Sequence, residues 1–278
     1  MSGGRIQTRF AELARQNRAG FVTYVMAGDP DPDTALAILR GLPAAGADLI
    51  ELGIPFSDPM ADGPPIQRAA LRALAKGASL EGVFEMARRF RETDQTTPIV
   101  LMGYLNPIVS LGYGPFAAQA AAAGVDGLIA VDCPPEEADP LADALDAAGV
   151  DLIRLATPTT DDARLAIVAR RTRGFVYYVS VAGVTGAKAA VAADVAPAVA
   201  RVRTASGLPV AVGFGIRTPA QAAEIARVAD AAVVGSALVD AVADALAAGE
   251  DPVARALGVA ADLSAAIRAA RVPAQAHG

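Results

Sequence analysis

Residues 44–52 read AAGADLIEL, and the same arrangement returns as AAGVDGLIAV at 122, AAGVDLIRL at 147 and RVADAAVVG at 227. Each copy runs from a helix end through a turn, with glycine in the first three, to an aspartate or alanine and then a short apolar run. Glycine takes the left-handed conformation that ends a helix at little cost. Continuous apolar strands that alternate with helices are the mark of a parallel sheet covered on its faces. Working outward, eight strand-like runs emerge near 21–27, 47–52, 98–104, 126–131, 151–156, 175–180, 208–214 and 231–235. Helical stretches lie between them, for example at 33–44, 79–92, 115–123, 137–147, 161–171, 218–228 and 236–248.

Eight βα units in 278 residues, with no linker or charge block dividing them, predict one (β/α)8 barrel domain over 1–278. Helices at about 5–16 and 252–271 are extra and would cap it. An open doubly wound sheet is the competing architecture, but no dinucleotide glycine fingerprint follows the first strand.

Composition narrows the chemistry. A net charge of −6 and an estimated pI of 4.9 argue against nucleic acid or an anionic membrane as partner. Mean hydropathy is +0.37 and residues 95–125 carry no charge, yet Pro98, Pro107, Gly112, Gly114 and Pro115 break that stretch into strand, loop and helix. The N-terminal pattern of Arg5, Arg9 and Arg15 among Ile6, Phe10 and Leu13 is an amphipathic helix rather than a leader, so a cytoplasmic protein is expected. The single cysteine, Cys133, allows neither an internal disulfide nor a cysteine metal site. The only histidine is His277, and Lys76 and Lys188 are the only lysines. A metal centre and a Schiff base are not expected. Carboxylates and tyrosines remain for acid–base work.

ELGIPFSDPMADGPPIQ, residues 51–67, places them. Glu51 ends the second strand and Asp62 lies in a proline-rich loop beyond it, where the catalytic groups of such barrels sit. Alternation puts Leu49 and Glu51 on one face; if Leu49 points inward, so does Glu51. Desolvation would then raise its pKa while Asp62, in a polar loop, stays ionised, a division suited to acid–base catalysis. Glu51 alone reads equally as the structural partner of a buried arginine. GVTG at 183, GFGI at 213 and GS at 235 offer backbone N–H groups, and with the helix start at Ser236 they form a possible phosphate cradle. Any one of these glycines could be only a turn. Phe21, Tyr24, Tyr104, Tyr177 and Phe214 fall at strand ends and could line one mouth for a flat aromatic substrate.

These motifs, with FVTYVMAGDP (21–30) and MGYLNPI (102–108), closely resemble the tryptophan synthase alpha subunit family along nearly the whole chain. The resemblance implies retro-aldol cleavage of indole-3-glycerol phosphate to indole and glyceraldehyde 3-phosphate. Indole would pass to a beta subunit within an α2β2 tetramer. Pyridoxal phosphate belongs to that partner, and this chain binds no cofactor. By the same resemblance Glu51 is the general acid/base and Asp62 the carboxylate at the indole N–H. Tyr24, Ile66, Tyr104, Ile129, Tyr177 and Phe214 surround the substrate. Gly186, Gly215, Gly235 and Ser236 hold the phosphate, and residues 181–193 form a lid whose Thr185 meets Asp62. Pro55, Asp58, Asn106 and Pro134 face the partner. Pro65 departs from the family, which commonly has threonine there, and so removes a backbone donor. The alternatives are another phosphate-binding barrel, such as indole-3-glycerol-phosphate synthase, and a non-catalytic barrel that only activates a partner.

Overall fold

The computed structural model describes residues 4–180, 192–213 and 215–271. Its strands are β1 (Gly20–Met26), β2 (Leu49–Gly53), β3 (Ile99–Gly103), β4 (Gly127–Ala130), β5 (Asp151–Leu152), β6 (Arg154–Ala156), β7 (Val176–Val179), β8 (Val210–Gly213) and β9 (Ala231–Val234). All pair in parallel, in the order β5-β4-β3-β2-β1-β9-β8-β7-β6. The two ends of that order are consecutive in sequence. Residues 151–156 form one extended stretch interrupted at Ile153, whose first half pairs with β4 and whose second half pairs with β7. The sheet therefore closes into a barrel with eight staves, as the eight apolar runs predict.

Helices α1 (Arg5–Arg15), α2 (Pro32–Gly41), α3 (Pro64–Ala75), α4 (Leu80–Arg91), α5 (Leu105–Leu111), α6 (Tyr113–Ala122), α7 (Asp139–Ala148), α8 (Asp162–Ala169), α9 (Ala192–Ser206), α10 (Pro219–Val228), α11 (Ser236–Ala248) and α12 (Pro252–Ala269) surround it. α5 and α9 are not among the helical stretches named from sequence, and α3, whose end at Lys76 the sequence suggests, starts earlier than its prolines imply. In α3 the residues that suggest a stiff loop, Pro64 and Pro65, occupy the first two helical positions. An N–H there has no intrahelical acceptor, so proline is tolerated and Pro65 costs no helical hydrogen bond. Pro107 likewise sits in the first turn of α5.

Two apolar layers hold the barrel. Val22, Leu49, Val100, Ile129, Ile153, Phe175, Ala211, Ala231 and Val233 fill its interior, and the larger layer lies between strands and helices. Helix α1 plugs the bottom. Its Ile6, Phe10 and Leu13 join the interior layer, with the Phe10 and Phe175 rings 5.5 Å apart.

The recurring aspartates also sit at this end. Asp48 accepts from the Phe21 backbone N–H of the neighbouring strand at 2.9 Å and from Arg18 at 2.7 Å. Asp126 accepts from Ile99 N–H at 2.8 Å, from Arg91 at 2.8 Å and from Arg5 at 2.9 Å. Asp230 repeats the pattern with Val210 N–H and Arg203, and Asp151 takes Gln7 of α1 at 2.6 Å. Asp48, Asp126 and Asp230 each satisfy a strand-end N–H and tether a cation, a charge-assisted arrangement stronger than a neutral hydrogen bond, whereas Asp151 holds the neutral Gln7 amide.

Asp126→Ala should therefore leave the buried Arg91 guanidinium without its counter-charge and the Ile99 N–H without its acceptor. A loss of about 3–5 kcal/mol in urea-unfolding free energy is expected; a loss below about 1 kcal/mol would contradict the stapling role.

Candidate active site

Leu49 does point into the barrel, and Glu51, two residues on, follows it. Glu51 is 1% exposed and lies in register with Tyr24 of β1 and Val100 of β3. No arginine pairs with it, and its Oε1 has no hydrogen-bond partner among the described residues. Burial alone pushes its pKa to about 8. Removing a carboxylate from water penalises the charged form, so the group remains mostly protonated at neutral pH.

Asp62 is set differently. The loop after β2 folds back so that Asp62 N–H donates to Pro59 O at 3.1 Å, and Gln67 of α3 donates to Asp62 O at 2.9 Å. Tyr104, at the end of β3, stacks on Phe56, accepts from the Ala61 N–H at 2.9 Å, and its hydroxyl bonds the Asp62 carboxylate. The expectation of an ordinary polar loop needs correcting. Asp62 is largely withdrawn from water, and desolvation, partly offset by Tyr104, raises it to about 6. The order of the two acids is nevertheless as expected: between pH 6 and 8 Asp62 is mostly ionised and Glu51 mostly neutral.

Both acids line one cavity of about 120 Å³, together with Tyr24, Ile66, Tyr177 and the backbone around Gly215, Gly235 and Ser236. Glycine makes room for the two tyrosines. A Cβ at Gly53 would stand 2.2 Å from the Tyr24 hydroxyl, and one at Gly213 would stand 2.1 Å from that of Tyr177. At the far wall, Gly215 has a φ of +81°, which side-chain-bearing residues rarely adopt, and Ser236 begins the 13-residue α11. The positive end of that helix dipole faces the same cavity as the neutral Glu51, at the side suited to an anion.

The remaining expected residues distribute as follows. Tyr104 stands behind Asp62 rather than on the cavity wall, and Ile129 is fully buried in the interior layer beneath. Asp58 and Pro134 are exposed on the loops after β2 and β4 and Asn106 is exposed in the first turn of α5, whereas Pro55 is buried within the chain. Lys76 is the exposed C-cap of α3. Thr185, Gly186, Lys188 and Phe214, the rest of the 181–191 segment, and His277 lie outside the described residues. Gly63, Met102, Ile216 and Val233 also line the cavity and were not expected. Met102 and Val233 continue the inward alternation of Val100 and Ala231, so the pattern that found Glu51 contained them. Among the described residues no acid–histidine–cysteine cluster could hold a metal, and no helix is long and apolar enough to cross a membrane.

Comparison with known proteins places this geometry. The family model described as tryptophan synthase alpha chain matches residues 10–268. The tryptophan synthase alpha chain of Phenylobacterium zucineum (strain HLK1) is 71% identical over 271 residues, covering 98% of each chain. That of Caulobacter vibrioides (strain NA1000 / CB15N) is 68% identical over 272 residues, covering 98% of this chain and 99% of the relative. Among solved structures, tryptophan synthase subunit alpha from Legionella pneumophila str. Paris superposes with a TM-score of 0.89 at 40% identity, covering 96% of this chain and 99% of that one.

Glu51 sets a pH dependence of stability. Its folded pKa stands above the ordinary value of 4.5, so the folded chain keeps a proton that the unfolded chain releases. Stability from this group is full below that value and is lost as pH rises towards 8. Glu51→Gln, which cannot ionise, should unfold within about 1 kcal/mol of the parent at pH 5 and be more stable by about 3–5 kcal/mol at pH 9. A difference that does not change with pH in denaturant titrations would contradict the buried, unpaired carboxyl.

Proposed function

This chain belongs to the tryptophan synthase alpha chain family, and on that premise we propose how its cavity acts as a lyase of tryptophan biosynthesis: it cleaves indole-3-glycerol phosphate to indole and glyceraldehyde 3-phosphate. The observation that carries the mechanism is the pair of carboxyls on one cavity wall, one neutral and one ionised near pH 7.

The ring leaves only if its C3 first gains a proton. Neutral Glu51 supplies it, and positive charge then develops on the ring nitrogen. Asp62, ionised and oriented by Tyr104, accepts the N–H and stabilises that charge. Once deprotonated, Glu51 takes the proton of the glycerol hydroxyl as the carbon–carbon bond breaks. The bonding electrons return to the ring, and the hydroxyl carbon becomes the aldehyde. Glu51 ends as it began, so protons balance over the cycle. Tyr24, Ile66 and Tyr177 hold the flat ring, while the backbone at Gly215 and Gly235 with Ser236 and the start of α11 takes the phosphate. In this reading Gly186 completes the cradle and Thr185 of the lid meets Asp62.

Neither metal nor Schiff base enters these steps, and this chain uses no cofactor of its own. Lys76 is exposed at the end of α3, away from the barrel interior, which disfavours the lysine chemistry of an indole-3-glycerol-phosphate synthase. The working unit is one barrel domain, 1–278, in the cytoplasm. It passes indole to a pyridoxal-phosphate-containing beta subunit in an α2β2 tetramer. The partner face is formed by the loops carrying Asp58 and Pro134, where Met60 is 81% exposed, with Asn106 at the start of α5.

In single-turnover indole-release assays, Glu51→Gln and Asp62→Asn should each slow cleavage by about 10²–10⁴-fold with substrate affinity largely kept. Cleavage at the parent rate by either variant would overturn the assignment.

A further inference from the structure

Arg154 is the first residue of β6. Its neighbours Ile153 and Leu155 belong with the barrel interior, so alternation turns Arg154 outward into the layer between strands and helices. It is 6% exposed, its Nε has no partner, and no hydrogen bond or salt bridge reaches the guanidinium from any described residue. The contrast with Arg91, also buried, is direct: Arg91 is held by Asp126, Gly124 O and Thr97 O.

Arg154 lines a cavity of about 340 Å³ between the loop after β4 and helix α8. Asp132, Cys133, Thr160 and Arg164 share the wall with Pro134, which belongs to the proposed partner face, over an apolar floor that includes Leu152 and Val168, so the site is tested on the chain without a partner subunit. No residue is common to this cavity and the one holding Glu51 and Asp62. Three of the acids nearby are held by other partners, and a fourth, the exposed Glu137, acts on Cys133 from the solvent side. Asp132 accepts from the Leu105 N–H at 2.7 Å, Glu136 pairs with Arg164, and Asp139 pairs with Arg170 and Arg171. Burial lowers the Arg154 pKa, but a guanidinium stays charged at any working pH. Asp139 and Glu136 act on Arg154 only at a distance; a buried guanidinium with no direct partner is costly, and its planar fork matches the two oxygens of a carboxylate or phosphate.

We propose that the Arg154 cavity is a second ligand site, separate from the catalytic one, that takes a small oxyanion of phosphate or carboxylate type. Cys133 is the only cysteine of the chain and lines this cavity, so its alkylation reports occupancy locally. The rate of reaction with neutral iodoacetamide is measured on the full chain in inorganic phosphate, in acetate, and in chloride at matched ionic strength.

Phosphate or acetate should slow alkylation saturably, about tenfold at ten times its dissociation constant, and whichever anion protects identifies the ligand class. Arg154→Leu should lose the protection; exchanging an unpaired buried cation for an apolar residue is compatible with folding. Arg154→Lys, which keeps the charge without the fork, should need at least about tenfold more anion. Gly235→Asp, altered in the catalytic cavity, should be protected like the parent. Equal rates in all three salts, or undiminished protection in both Arg154 variants, would overturn the proposal. So would loss of protection in Gly235→Asp, which would trace the effect to the catalytic cavity.

Discussion

Everything at the mouth of this barrel depends on a carboxyl taken out of water and given no counter-charge by any described residue. Glu51 occupies an inward position of β2 where alternation calls for an apolar side chain, and no arginine compensates it. Elsewhere the chain shows what compensation looks like: Asp48 and Asp126 are also withdrawn from water, yet each holds an arginine and a backbone N–H. The proposed mechanism rests on that difference. A paired carboxylate is fixed in one protonation state, whereas a desolvated, unpaired one titrates near neutrality and can both give and accept a proton.

The two ends of the barrel thus divide the work. At the N-terminal end, α1 and the repeated aspartates join neighbouring strands through charge-assisted bonds. At the C-terminal end, glycines open space for Tyr24 and Tyr177, and the loop after β2 carries Asp62 up to Tyr104. A rigid base permits strain and unsatisfied polarity at the top, the usual arrangement for barrel enzymes. The proposed cleavage uses two acids in different states within one cavity, and the fold supplies that difference by burial depth.

Much of this could be read from the chain before its structure. The AAG-D repeat implied a closed parallel barrel because its apolar runs lack a solvated face, and alternation from Leu49 directed Glu51 inward. Less legible were features set by tertiary contact. The role of the repeated aspartates requires knowing that Asp126 lies beside the start of β3, 27 residues earlier in sequence. Asp62 looked solvated because its loop is polar in composition; only the return of that loop onto Tyr104 withdraws it. Pro64 and Pro65 resembled a stiff loop because proline at the first helical positions and proline in a turn share one local signature. Arg154 breaks an apolar strand as Glu51 does, but only the fold shows its guanidinium buried beside a cavity.

The central claim concerns the protonation of Glu51, and difference infrared spectroscopy of the parent against Glu51→Gln measures it most directly. The account predicts a protonated carboxyl band, absent from the variant, that persists at pH 7 and disappears with a midpoint near 8. A band that disappears near the ordinary carboxyl value of 4.5 would mean that Glu51 is already ionised at neutral pH, and the proton needed for ring departure would have to come from elsewhere.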